Sequence, residues 1–175
     1  MLRAARAADI PAIQQVRASV KENRLVSTII TDEDVRSAIE DRGRGWVVEK
    51  NGEVVAFAIG DAMTGNIWAL FVRPEHEGRG YGRQLHDTMV NWLWTAGLDR
   101  LWLTTEAGTR AQRFYEASGW RLTGTTSRAM SMRSAIVRTC STRVARAIAV
   151  MPNSQIPIPT KRQIALLTWR NNMML

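Results

Sequence analysis

Apolar and polar positions along the first 125 residues switch between two periods, one helical and one extended. Leu2 to Ala5 reads as a short first strand. Asp9 then offers an N-cap, Pro11 suits the first turn, and Ile13, Val16 and Val20 recur at helical spacing through Lys21. Glu22-Asn23-Arg24 leaves that helix as a polar loop. Thr31 with Asp34 predicts a capping box for a second helix, whose apolar side is Val35, Ala38 and Ile39. Two β-rich runs, from Trp46 to Lys50 and from Glu53 to Gly60, flank Asn51-Gly52, a strong two-residue hairpin signal. After a turn over Asp61 to Asn66, Ile67 to Val72 gives a third strand of an antiparallel meander, closed by Pro74.

A glycine-rich turn follows, Glu77-Gly78-Arg79-Gly80-Tyr81-Gly82-Arg83, and leads into a helix to Ala96. Leu85, Met89, Trp92, Leu93 and Ala96 form one face of that helix, and Gly97 is expected as its C-cap. Leu101 to Thr105 is a strand reached by a helical crossover, hence parallel to the 67–72 strand. Thr109 to Ser118 reads as a helix stopped at Gly119, and Trp120 to Thr125 begins a further strand. The fold class is therefore α/β, a mixed and mostly antiparallel sheet flanked by helices.

The turn is where chemistry is expected. Glycines let the backbone take positive φ and approach a ligand closely. The first N–H groups of the next helix are free and lie at the positive end of its dipole, a combination that suits phosphate. The dinucleotide fingerprint G-x-G-x-x-G is not met, because Arg83 occupies the sixth place, and the Gly-Lys-Ser/Thr ending of a P-loop is absent.

Charge and composition narrow the classes. At 175 residues and 45% hydrophobic content the chain can bury a core, and it has no apolar run long enough to span a bilayer. Its start lacks the apolar region of a secretory leader, so a cytoplasmic setting is expected. One cysteine, Cys140, excludes an internal disulfide and is given no nucleophilic role; the two histidines, His76 and His86, read as surface residues and support no metal. The net charge of +8 lies wholly beyond residue 126: residues 1–126 hold 16 basic and 16 acidic side chains, whereas 127–175 hold eight basic and none acidic. No alternating run follows residue 126. The expected organisation is a domain over 1–126 and an atypical basic segment over 127–175, divergent or frame-shifted.

Val72-Arg73-Pro74, the Glu77–Gly82 turn and the later Glu106-Ala107-Gly108-Thr109-Arg110-Ala111-Gln112-Arg113-Phe114-Tyr115-Glu116-Ala117-Ser118-Gly119-Trp120 together resemble the GNAT superfamily of acyl-CoA N-acyltransferases over residues 1 to about 125. The resemblance implies acetyl-CoA as co-substrate, without a metal. Backbone of Phe71 and Val72 would hold the pantetheine arm between splayed strands, and backbone N–H groups of Glu77, Gly78, Arg79, Gly80, Tyr81 and Gly82 would take the pyrophosphate. Arg79 and Arg83 would add charge. Tyr115 would donate a proton to the departing sulfur, although by pattern alone it fits a core aromatic beside Phe114 equally well. Two positions depart from the family pattern: Glu77 stands at the first place of the turn motif, where a carboxylate should turn away from phosphate, and Gly108 stands where the family often has Asn.

Direct attack by an amine on a thioester needs no covalent enzyme intermediate, and no Ser-His-Asp or Cys-His set is visible. Glu106 is the preferred base, ahead of Asp61 and Glu22. For the acceptor, Glu22 could draw a cationic amine and Trp68 could stack on it. The expected activity is acetyl transfer from acetyl-CoA to a primary amine on a small molecule or peptide, with a homodimer allowed. The rivals are a non-catalytic acyl-CoA sensor and a nucleic-acid binder acting through the basic segment. The latter is disfavoured because that segment has a single aromatic, Trp169.

Overall fold

The computed structural model describes residues 1–20, 30–128 and 131–139, the side chains of 125–136 aside. Seven strands form one sheet in the order β1-β2-β3-β4-β5-β7-β6. In chain order the elements are β1 (Leu2–Ala4), α1 (Ile10–Ser19), α2 (Asp32–Glu40), β2 (Gly43–Lys50), β3 (Glu53–Asp61) and β4 (Asn66–Val72). Then come α3 (Tyr81–Thr95), β5 (Arg100–Glu106), α4 (Arg110–Ala117), β6 (Arg121–Arg128) and β7 (Ser131–Thr139). Among the described residues only the β4–β5 pair is parallel; every other neighbouring pair is antiparallel.

The hairpin signal is realised as expected. Asn51 and Gly52 both take positive φ, 52° and 81°, which matches the twist of the flanking strands β2 and β3. The capping box of α2 also forms. Thr31 Oγ1 accepts the Asp34 N–H at 3.2 Å, and the Asp34 carboxylate accepts the Thr31 N–H at 2.8 Å. Asp9 occupies the N-cap position of α1, as expected, but its side chain caps no N–H of that helix. It precedes α1 in a short 3₁₀ turn, and its carboxylate takes both guanidinium arms of Arg3 at 2.8 Å and the Arg6 N–H at 2.8 Å. These bonds, the Arg3 pair first, hold its carboxyl below the usual carboxylate range.

The sheet separates two apolar layers. On one face α1 and α2 place Ile10, Ile13, Val16, Val35 and Ala38 against Val47, Phe57 and Ile59. On the other face α3 buries Leu85, Met89 and Leu93. It lies so close that a Cβ on Gly60 would stand 3.0 Å from both Met89 and Leu93.

Two expectations are corrected here. A strand does follow residue 126. β7 runs between β5 and β6 and pairs with both, from Arg100↔Thr139 to Glu106↔Arg133 and from Arg121↔Val137 to Arg128↔Ser131. Alternation could not reveal it, since its apolar residues cluster as Ala135-Ile136-Val137 and its place is fixed by backbone pairing on two sides. His86 is not a surface residue but is 1% exposed within α3.

Candidate active site

β4 and β5 part immediately after they meet. A single ladder pair, Asn66↔Trp102, joins them, reinforced by Trp102 N–H to Gly65 O at 2.9 Å and Asn66 Nδ2 to Trp102 O at 3.2 Å. Beyond that point the two strands share no ladder among the described residues, and a cavity of about 480 Å³ opens between them. On its other edge β4 carries a bulge. Ile59 pairs with Ala69 but Gly60 pairs with Ile67, so Trp68 has no partner residue. Bulges re-aim side chains, and Trp68 both lines the cavity and packs on the α1–α2 layer. Phe71 and Val72, the strand residues expected to hold a pantetheine arm, also line the cavity, with the Phe71 ring stacked on Phe57 at 5.4 Å.

The glycine-rich turn lines the same cavity through Glu77, Gly78, Gly80, Gly82 and Arg83. Gly78 and Gly80 have φ of 71° and 82°, and a Cβ at either would meet nothing within 4 Å. Glycine is needed there for the backbone path, and the space above each is open. The first helical bond of the turn is Gln84 N–H to Gly80 O at 3.0 Å. No acceptor among the described residues takes the N–H groups of residues 78–83, which include the first three of α3. Together with the helix dipole they make an anion cradle.

The charged residues around the cradle differ from expectation. Glu77 does not offer its N–H, which donates to Pro74 O at 3.3 Å; its carboxylate instead pairs with Arg110 at the start of α4. Arg79 does not line the cavity, and its guanidinium donates to Glu75 O at 3.3 Å. Arg83 does line it, as does Arg110, which sequence reasoning missed because its partner Glu77 is 33 residues away. Tyr81, at the first position of α3, faces His76, with ring centroids 6.4 Å apart.

Tyr115 and Glu106 meet at the same cavity. Tyr115 is 7% exposed, inside a ring cluster with Phe114 at 5.3 Å, Trp120 at 5.5 Å and His86 at 6.2 Å. Burial drives its phenol pKa well above the ordinary value, so the hydroxyl keeps its proton at neutral pH. The cluster is braced by His86, whose Nε2 accepts the Trp120 indole N–H at 2.8 Å while Nδ1 lies 2.8 Å from an Asp87 oxygen. Thr109 couples the end of β5 to α4: its hydroxyl donates to Glu106 O at 2.7 Å and accepts the Gln112 N–H at 3.3 Å.

Asp61 is withdrawn from the list of bases. It is 1% exposed, ion-paired with Arg42, and accepts the N–H groups of Met63 and Thr64 at 2.8 and 3.0 Å. It shapes the turn before β4 and is not a cavity residue. Glu22 lies outside the described residues. Among the described residues no cluster of three His, Cys, Asp or Glu side chains could hold a metal, and no helix is long and apolar enough to cross a membrane.

The family model for the acetyltransferase (GNAT) family matches residues 13–120, which span the cradle, the cavity and Tyr115. The chain belongs to the GNAT family. A mycothiol acetyltransferase from Beutenbergia cavernae is 38% identical over 81 residues, 43% of this chain and 27% of that protein. The match thus spans about a quarter of the relative's length. Among solved structures, the ribosomal-protein-S18-alanine N-acetyltransferase of Escherichia coli superposes with a TM-score of 0.67 at 18% identity, covering 90% of this chain and 98% of that one. A ribosomal-protein-alanine N-acetyltransferase from Brucella melitensis gives 0.65 at 19% identity, covering 80% and 99%. At these identities the structural likeness is one of fold.

Proposed function

We propose that this GNAT chain transfers an acetyl group from acetyl-CoA to a primary amine by direct attack within a ternary complex. What carries the proposal is a conjunction: unbonded amides of a turn that lines the β4–β5 cavity and a buried, protonated phenol lining the same cavity. The residues present fit the co-substrate. Amides of Gly78 to Arg83 would take the diphosphate, with Arg83 nearby, and the unpaired edge of β4 at Phe71 and Val72 would receive the pantetheine amides as an added strand.

When bound, acetyl-CoA supplies an activated thioester, so the protein's main task is to align an amine and handle two protons. Tyr115 is a hydrogen donor whose proton is not lost to solvent, and it would donate to the thiolate as it departs. Glu106, at the end of β5, would accept a proton from the incoming ammonium, directly or through water. Trp68 gives the acceptor an aromatic wall. The related proteins are named for ribosomal-protein alanine and for mycothiol; the acceptor proposed here is a primary amine of a small molecule or a peptide N-terminus.

Acetyl-CoA is offered to the purified chain with a panel of primary amines, and release of free thiol is followed. Transfer to at least one amine is expected. Tyr115→Phe should lower kcat by about 100-fold, at the lower end of the usual contribution of acid catalysis, while the calorimetric Kd for acetyl-CoA stays within about twofold. Unchanged kcat removes Tyr115 as the acid. Binding without transfer to any amine would favour an acyl-CoA sensor, and no binding would overturn the assignment of the cavity.

A further inference from the structure

Arg110 sits where a cation is poorly placed for the helix that carries it. It is the first residue of α4, at the positive end of the dipole, where acidic residues are the favoured ones; α4 has no acid in its first turn. Its partner is Glu77, in the glycine-rich turn, and both residues line the cavity. The pair is open to solvent, with side-chain exposures of 56% and 36%, so it adds little to fold stability. Neither the helix nor the fold accounts for an arginine at this position.

The site accounts for it. A carboxylate in an anion cradle opposes a diphosphate unless a cation masks it, and Arg110 masks Glu77. Guanidinium has five N–H donors, so one arm can stay on Glu77 while another reaches a phosphate oxygen. The turn's own Arg79 is turned away onto Glu75 O. Resting on the acetyl-CoA reading above, we propose that Arg110 supplies the guanidinium that grips the coenzyme diphosphate, and that Glu77 is its positioning partner. A cation is delivered to the cradle from the start of α4, which ties the helix of Tyr115 to the presence of the coenzyme.

Five proteins decide it by calorimetry with acetyl-CoA: wild type, Arg110→Ala, Arg110→Lys, Glu77→Gln and the double variant Glu77→Gln/Arg110→Ala. Both side chains are exposed, and thermal melts of each variant verify the fold. Arg110→Ala should raise Kd roughly ten- to hundredfold, the range expected for a lost hydrogen bond to a charged group. The double variant should be similarly weakened relative to Glu77→Gln, and Arg110→Lys should recover part of the loss by charge without the fork. An unchanged Kd in Arg110→Ala overturns the proposal. So does a double variant that binds as tightly as wild type, since Arg110 would then only cancel Glu77. A wild-type chain that binds no acetyl-CoA fails the assignment of the cavity itself, and this proposal falls with it; wild-type binding with an indifferent Arg110 fails this proposal alone.

Discussion

His86 should give the stability of this domain a pH dependence in a window where few other groups act. Its Nε2 accepts the Trp120 indole N–H, so the neutral ring carries its proton on Nδ1, toward Asp87. Protonation at Nε2 would set two N–H groups against each other. Burial holds the histidine pKa below its ordinary 6.5; Asp87 works against this, and the charges of Arg138 and Arg83 add to it. The unfolded chain therefore takes up a proton near pH 6.5 that the folded chain resists. Stability from this group is full above that pH and falls as pH drops below it, by at most about 1.4 kcal/mol per unit. If the folded ring stays neutral, the loss relative to high pH is about 1.4 kcal/mol at pH 5.5, or roughly 4 °C in Tm for a domain of this size. Asp9 and Asp34, whose pKa values are lowered from 3.8, lose their contribution only at more acid pH. The assay is urea unfolding followed by tryptophan fluorescence at pH 7.5, 6.5 and 5.5, for wild type and His86→Gln, which keeps an acceptor for the indole. Wild type should lose about 1 kcal/mol more than the variant between pH 7.5 and 5.5. Parallel pH curves for the two proteins would refute the assigned tautomer and its burial cost.

Gly80→Asp should abolish measurable acetyl-CoA binding. It forces a side chain into φ of 82° at a cost of roughly 1–2 kcal/mol and sets a carboxylate in the cradle; calorimetry with intact affinity would remove the turn from the site. Asp61→Ala should destabilise by roughly 2–4 kcal/mol in urea titrations, because it strands Arg42 and the N–H groups of Met63 and Thr64. Its transfer rate per folded molecule should be unchanged, since Asp61 lies off the cavity.

What the sequence disclosed was local. Asn51-Gly52, the Thr31–Asp34 box and the glycine-rich turn each carry their geometry within a few residues; the first two appear as read, and the turn takes positive φ at Gly78 and Gly80 before α3. What it withheld depends on partners distant in the chain. Asp61 looked like a cleft carboxylate until Arg42 came against it from 19 residues away, and Arg110 drew no role from its own neighbours in sequence until Glu77 faced it. β7 is held by two neighbouring strands rather than by its own alternation. His86 had a signal that could have been found. With Val90, Leu93 and Trp94 it extends the apolar stripe of α3 at helical spacing, and a polar residue on such a stripe is a buried one with a partner.

The most direct measurement is a titration of ¹⁵N-labelled protein with acetyl-CoA, following backbone amide resonances. The account predicts that amides of Gly78, Gly80 and Gly82 move downfield together on saturation, as unbonded N–H groups acquire phosphate acceptors, with the resonances around Tyr115 shifting at the same ligand concentration. Saturable binding that leaves the glycine amides in place would contradict it.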